Sequence, residues 1–282
     1  MPKFDTPEPI NAEIEPGIGY VTIVATDRID TVVDVRPTNP DNESDTDAAE
    51  RTTVDFARTT LTIRGPKLSP FSWSSKTRSI DVSVELPSGS HVHGKSGMGD
   101  LTATGRLGDV GYKTGLGHVS VDEAATLSVT SASGNVLGNR IAGKATVTTA
   151  SGRLHLGELA DGGVLNNANG NTVVGVAHGP VKVRSANGDI VVEEASDDVE
   201  ARTANGAVRV LDAVRGSLTL ETAMGEIEVG VREGSAAWLD VTTKFGRVRN
   251  EMTPSAAPAE HTDKVEIHAS TSFGDVTVRR AS

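Results

Sequence analysis

The stretch LTLETAMGEIEVG, residues 218–230, alternates apolar and polar residues on both sides of one glycine. Leu218 and Leu220 precede Gly225, and Ile227 and Val229 follow it. A period of two marks a half-buried strand, so the stretch predicts two strands joined by a tight turn. The arrangement recurs. Aligned on the glycine, the copies centre on Gly99, Gly117, Gly134, Gly152, Gly170, Gly188, Gly206, Gly225, Gly246 and Gly274, with successive spacings of 18, 17, 18, 18, 18, 18, 19, 21 and 28 residues. In nearly every copy an apolar residue stands two residues after the glycine, and the residue three before it is nearly always Ser or Thr.

Eighteen residues accommodate two strands and two turns but no strand-helix-strand crossover. One such unit cannot bury its apolar side alone, whereas coils stacked about 4.8 Å apart bury a continuous ladder of like positions. The expected fold is therefore an all-β, parallel β-solenoid of about 18 residues per coil, wound right-handed as parallel crossovers generally are. Val192 and Val210, each four residues after its glycine, are expected to stack and point inward. Glycine at the turn permits positive φ. The Asn before it, in the repeated Ala-Asn-Gly at 168–170, 186–188 and 204–206, is expected to pair with the next Asn through its side-chain amide.

Upstream of Gly99 the pattern is degraded. GIGYVTIVATD places Val21 and Ile23 after Gly19 in the same relation, and further strands are expected at Val33–Val35, Leu61–Ile63 and Ile80–Leu86. The chain reads as one domain: irregular strands with inserted loops over 1–94, a regular array over 95–250, and a loop plus a final strand over 251–282. The insertion PTNPDNESDTDAAE is acidic and lacks apolar periodicity, so a mobile loop is expected there. The leading strands and the last strand, FGDVTVRR, are expected to cap the two ends, Arg279 and Arg280 discouraging further pairing.

Composition narrows the function. Aromatic residues make up only 3% of the 282 residues, so the core falls to Val, Leu, Ile and Ala. The net charge of −11, from 27 basic and 38 acidic residues, disfavours nucleic acid and anionic membrane as partners. No apolar run approaches the roughly 20 residues of a membrane span, and the amino-terminal stretch has no signal-peptide core. With no cysteine at all, the expected compartment is the cytoplasm.

The run of Ser/Thr-x-x-Gly-x-hydrophobic repeats, preceded by IEPGIGYVTIVATDRIDTVVDV and by SIDVSVELPSGSHVHGKSGMGDL, resembles the bacterial β-strand-repeat family called "putative adhesin", a domain of unknown function. The resemblance covers almost the whole chain and is closest to soluble members of actinobacterial type. It implies a β-solenoid and, for some members, a link to envelope-stress accessory proteins. It supplies no catalytic residues. Many relatives are tethered to a membrane, and this sequence departs from them in having no span.

Candidate sites are few. His91 and His93 alternate on one strand face, but no third metal ligand is placed by spacing, and no metal or cofactor is expected. The residues after the glycines run Asp100, His118, Asn135, Arg153, Asn171, Asp189, Ala207, Glu226, Arg247 and Asp275. Like charges never adjoin in that order, so the column is expected to avoid carboxylate stacking and to provide no acid-base pair. Glu193, Glu194, Asp197 and Asp198 gather at a turn instead. Four residues before the glycine, Lys95 neighbours Lys113 and Arg184 neighbours Arg202, two basic patches on which a partner's carboxylate is expected to dock. Phe71 and Trp73, aromatic in the otherwise polar segment PKLSPFSWSSKT, are expected either to anchor a partner or to cap the solenoid.

The function expected is a non-enzymatic cytoplasmic scaffold or protein-interaction module, monomeric or a small homo-oligomer, with an unidentified protein partner. The rival readings are a carbohydrate-active β-helix enzyme and a self-assembling filament or adhesin. The first needs clustered carboxylates and aromatic platforms, and the second needs uncapped ends.

Overall fold

A computed structural model describes residues 1–66, 78–252 and 263–281. The described residues form 24 strands and one helix, arranged in two compact units, Met1–Asn139 and Arg140–Ser282. No helix among them is long and apolar enough to cross a membrane.

In the second unit each coil is a strand, a glycine turn, a second strand and a looser turn. Val181–Asn187 and Ile190–Ala195 form one coil, and Val199–Asn205 and Val208–Ala213 form the next. First strands pair in parallel with first strands and second with second, offset by the repeat, so that Val183 meets Ala201 and Val192 meets Val210. Like positions thus form continuous columns. Leu165, Val183, Ala201 and Leu220 make one, and Val174, Val192, Val210 and Val229 make another, all fully buried. The chain is a β-solenoid, and Val192 and Val210 lie stacked and inward at 0% exposure.

The glycine turn explains two sequence columns. Nine of the ten turn glycines have φ between 131° and 158°; Gly246 alone is outside the positive region. A Cβ on Gly206 would stand 2.2 Å from the carbonyl oxygen of Gly188, the turn glycine one coil below. That carbonyl accepts the hydroxyl of Thr203 at 3.2 Å, and the carbonyl of Gly206 accepts Thr222 Oγ1 at 2.9 Å. Thr243 and Thr271 repeat the bond to Gly274 and Gly225. At these four turns the threonine therefore satisfies a buried carbonyl at the bend, where the strand ladder is interrupted, whereas the Ser131 and Ser185 hydroxyls in the same column make no such bond. Asn167 stands in for Thr, and its Nδ2 donates to the carbonyls of Gly152 and Gly170 at 3.0 and 2.9 Å.

The residue after the glycine has a matching task. Asp100 accepts from the backbone N–H of His118 at 2.7 Å, Asn171 from Asp189 at 3.1 Å, and Asp189 from Ala207 at 2.8 Å. An acceptor side chain in one coil thus meets an N–H of the next. The amide ladder is also present: Asn187 donates to Asn169 at 2.8 Å and Asn205 to Asn187 at 2.9 Å.

Chain order and stacking order part at the carboxyl end. Lys264–Phe273 lies between Gly216–Met224 and Ala236–Phe245, and Val276–Arg280 lies between Ile227–Val231 and Val248–Asn250, all parallel. The region read as a loop plus one strand thus supplies two strands. FGDVTVRR does not cap the array; the last coil in sequence is inserted beneath the coil of residues 236–250, which is outermost. The physical reason is at Asn250, which pairs in register with Val278. It is a polar residue at the fourth position after the glycine, where Val192, Val210 and Val229 are buried, and a buried unpaired amide costs several kcal/mol. Val278 fits inside and Asn250 belongs at the end. The swap also sets Glu226 next to Asp275, so like charges do adjoin in the column after the glycine.

In the first unit, Asn11–Thr26 supplies a whole coil, with Gly19 at its turn (φ 137°). On one side it pairs in parallel with His91–Met98 and Leu101–Leu116, and on the other with Thr60–Arg64 and Ser79–Pro87. The rungs beyond turn antiparallel: Thr53–Ala57 closes on Thr60–Arg64, Asp30–Pro37 on Ser79–Pro87, and Lys3–Asp5 on Asp30–Pro37. Short antiparallel strands end the parallel template there, as expected of the leading strands.

The acidic insertion expected to be a mobile loop contains the helix Glu43–Glu50. Asn42 caps it, its side chain accepting from Ser44 N–H at 3.0 Å, and Glu43 and Asp45 sit in the first turn where the helix dipole favours negative charge. Asp45 is buried and accepts from Ser79 N–H at 2.9 Å, which ties the helix to the sheet.

Two measurements follow from the ladder. Val192→Asp places an unpaired carboxylate in the core and is expected to cost at least about 3 kcal/mol in a urea titration. Thr222→Val leaves the Gly206 carbonyl unsatisfied at nearly constant volume and is expected to cost about 1 to 3 kcal/mol, while Thr219→Val, on the outward face of the same strand, stays within about 0.5 kcal/mol of the parent.

Candidate functional site

Lys95 and Lys113 are register partners on adjacent parallel strands of the first unit, and both are exposed. They flank a groove of about 580 Å³ whose floor is formed by Gly17, Gly65, Gly97 and Gly115. Where four neighbouring rungs have no side chain, the surface is hollowed out down to its backbone. Lys95 is held by Glu15, Nζ to Oε1 3.0 Å, whereas Lys113 has no ion-pair partner among the described residues. The groove thus presents one unneutralised ammonium beside a concave strip of backbone. An extended anionic segment matches both features.

A second groove of about 580 Å³ borders the same lysines and is lined by Glu13, His93, Asp109, Thr126 and the edge of Tyr112. The Tyr112 ring is buried over Gly94, where any Cβ would stand 2.8 Å from it. His91 Nδ1 accepts the backbone N–H of Asp109 at 3.0 Å, so that nitrogen serves the strand ladder. His93 shares its outward face. No group of three or more His, Cys, Asp or Glu is placed to hold a metal ion among the described residues.

Arg184 and Arg202 are likewise register partners, at a groove of about 490 Å³ that also includes Ser185, Glu221 and Ser270. Here the charge is engaged. Glu200 stands 3.2 Å from Arg202 and 3.8 Å from Arg184 and is hydrogen-bonded by Lys182, and Glu221 adds a contact of 3.4 Å to Arg202. The Lys182 hydrogen bond, followed by the charges of Lys182, Arg202 and Arg184, pulls the Glu200 carboxyl below its ordinary pKa against a smaller effect of burial. The structure thus separates two patches that look alike in sequence, since Glu200 reaches both arginines and Glu15 reaches only one lysine.

The acidic residues near the 195–198 turn are also in structural use. Glu194 and Asp212 are neighbours in register, and Arg232 binds both, at 2.9 Å to Glu194 and 3.0 Å from its Nε to Asp212. Asp198 accepts the N–H of Ser217 at 2.8 Å. Phe71 and Trp73 lie outside the described residues. The feature that sequence reading missed is the exposed end coil, Ala236–Phe245 with Val248–Asn250; Asn250 was the signal that could have revealed it.

Comparison with known proteins gives the following. The family model described as Toastrack DUF4097 matches residues 19–279. No curated protein matches the chain. Among solved structures, a putative adhesin from Bacteroides fragilis is similar at 12% identity and a TM-score of 0.35, over 98% of this chain and 95% of that one. A putative adhesin from Parabacteroides merdae is similar at 9% identity and a TM-score of 0.31, over 100% and 95%. A putative cell adhesion protein from Clostridium sporogenes is similar at 10% identity and a TM-score of 0.22, over 99% and 98%.

The Glu200 cluster predicts a pH dependence. A carboxylate whose pKa is lower folded than unfolded contributes stability above its unfolded pKa, and that contribution is lost as the pH falls through the folded value. Glu200→Gln is therefore expected to lower stability at pH 7, by at most about 1 kcal/mol for so exposed a cluster. The difference from the parent begins to close below about pH 4.3, the ordinary glutamate value, and disappears once the pH has passed the depressed one. Parallel thermal melts between neutral and acid pH measure it.

Proposed function

Since the chain belongs to the Toastrack DUF4097 family, a domain of unknown function, we propose that it is a non-enzymatic, cytoplasmic scaffold that receives an anionic segment of a partner protein beside Lys113. The observation that carries this reading is the combination of an unpaired ammonium with a glycine-floored groove. Elsewhere Arg184, Arg202, Glu194 and Asp198, charged side chains that attracted attention in the sequence, are engaged in joining one coil to the next. A rigid ladder that uses its polar groups internally is suited to presenting a surface. A glycosidase would need two carboxylates facing one another across a cleft, with one kept protonated, and of the turn carboxylates Glu194 is instead bound to Arg232 and Asp197 and Asp198 to backbone N–H. The cytoplasmic placement rests on the absence of cysteine from all 282 residues.

The test is affinity capture from the native host with the full chain, its Lys113→Glu variant and a Lys144→Glu control, together with titration of an acidic oligopeptide. Lys113→Glu is expected to lose the captured partner and to weaken the peptide by at least about tenfold, while the control behaves as the parent. An unchanged partner set with Lys113→Glu overturns the site. Reducing sugar released from glycans above a heat-killed control overturns the non-enzymatic reading.

A further inference from the structure

Among the described residues, the outermost coil of the second unit ends in an unpaired strand edge. Ala236–Phe245 pairs with Lys264–Phe273 and, among the described residues, with nothing on its other side. It is ten residues long. It contains no proline, and its inward positions, Ala237, Leu239, Val241 and Thr243, hold no charge. Proline and inward-pointing charge are two of the devices by which edge strands are normally protected from pairing, and this edge has neither; the charges it carries, Asp240 and Lys244, point outward. Trp238 is 57% exposed, Phe245 66% and Val248 48%. Phe245 stacks on Phe273 at 4.9 Å, and Met224 lies beside Phe273 in register, so an apolar ridge leads along the turn to the same end.

Two classes of strand could cover such an edge, one from a different protein or one from a second copy, and the outward residues favour the copy. Ala236 N–H bonds to Asp263, so up to the bend the even-numbered backbone groups of this strand face its neighbour and the odd-numbered ones face outward, the Phe245 carbonyl turning back to accept from Gly274 N–H. In an antiparallel pairing of the strand with itself, the pleat requires the two-fold axis to pass through a residue. An axis through Asp240 or Lys244 sets like charges opposite one another. An axis through Thr242 sets Asp240 of each copy opposite Lys244 of the other, with Val241 opposite Thr243 and its outward N–H and C=O available for two ladder bonds. Lys244 has no ion-pair partner among the described residues, and Asp240 has only His268, at 3.5 Å. Head-to-tail stacking has no matching template in the first unit, because its rungs are closed by the antiparallel strands Thr53–Ala57 and Lys3–Asp5.

We propose that the chain forms a closed two-fold dimer by antiparallel pairing of the edge Ala236–Phe245 with the same edge of a second copy, with Thr242 on the axis and two reciprocal Asp240–Lys244 pairs. The ladder continues across the axis, the open end of each core is covered, and growth stops at two, because an isologous contact consumes the edge on both partners.

The chain contains no cysteine, which makes the register directly testable. At a non-hydrogen-bonded antiparallel pair the Cα atoms stand about 4.5 Å apart, at the short end of the disulfide range. Thr242→Cys is therefore expected to yield a covalent dimer on mild oxidation, whereas Thr219→Cys, on a strand paired on both sides, is not. Sedimentation of the full chain at micromolar concentration is expected to show a dimer. Asp240→Lys and Lys244→Asp, singly, are each expected to weaken it by at least about tenfold, and the double exchange Asp240→Lys/Lys244→Asp is expected to restore it. Circular dichroism of the single variants, unchanged from the parent, separates loss of pairing from loss of fold. A parent that remains monomeric at 100-fold higher concentration, single variants that dimerise as tightly as the parent, or a double exchange that fails to restore association each overturns the proposal.

Discussion

The solenoid depends on one contact, the approach of each coil's bend to the glycine carbonyl of the coil below. At Gly206 there is no room for a side chain, since a Cβ would sit 2.2 Å from the Gly188 oxygen, and φ of 145° is in a region that other residues avoid. The chain can therefore fold back within three residues and still stack at strand spacing. The bend also leaves carbonyls without a ladder partner. The hydroxyl three residues earlier supplies the missing donor, and the acceptor side chain just after the glycine takes an N–H from the coil above. Glycine, threonine and the acceptor form one device, with the threonine bond repeated at Thr203, Thr222, Thr243 and Thr271 and the acceptor bond at Asp100, Asn171, Asp189 and Asp275. The apolar columns supply most of the burial, and the device fixes the register in which they meet.

This division of labour determines what the polar residues are available for. Asp189, Asp198, Asn171 and Thr203 carry groups that in another fold would be candidates for catalysis or metal binding, and here each is bonded to backbone of an adjacent coil or of its own bend. Charge pairs such as Arg232 with Glu194 and Asp212 offset the repulsion that an exact repeat creates when it stacks a carboxylate on a carboxylate. Binding capacity then falls to places where the repeat is interrupted: the glycine-floored groove beside Lys113 and the coil with no successor.

The regular middle was legible because local pattern and spatial neighbourhood coincide there. A spacing of 18 residues sets Val192 over Val210, and nothing beyond the count is needed to say so. The same logic failed at the carboxyl end because a period records similarity between coils but not their order. Gly274 follows Gly246 in sequence and precedes it in the stack, and only the polar Asn250, at a position held in the other copies by Val, Leu, Ala or Gly, betrays which coil is outermost. The helix Glu43–Glu50 was missed for a different reason: an acidic composition suggested a solvated loop, while the cap at Asn42 and the bond from Asp45 to Ser79 N–H act through single atoms that composition averages away. The two basic patches were equally visible as pairs. Their difference lies in Glu200, two residues before Arg202 and eighteen after Lys182, whose reach to both arginines is a matter of side-chain geometry.

A ladder of coils has to be stopped where no further coil stacks, and the stops in the two units differ in kind. In the first unit the parallel ladder is ended by antiparallel strands three to eight residues long, which change the hydrogen-bonding pattern and leave little edge to extend. In the second, the outermost coil keeps the full ten-residue strand and the same inward alternation as the coils beneath it, but carries Asn250 in place of valine, and Trp238 and Phe245 on its rim. Asn250 makes the coil unfit for a dry interior, while the long edge without inward charge and the aromatic rim make it unfit for bulk water. A surface with both properties is satisfied by a contact that is part polar and part apolar, as a subunit interface is. The polar residue that fixes the coil's place at the end of the stack is thus compatible with its meeting another surface there, and the inserted order of the last two coils follows from the need to keep that coil outermost.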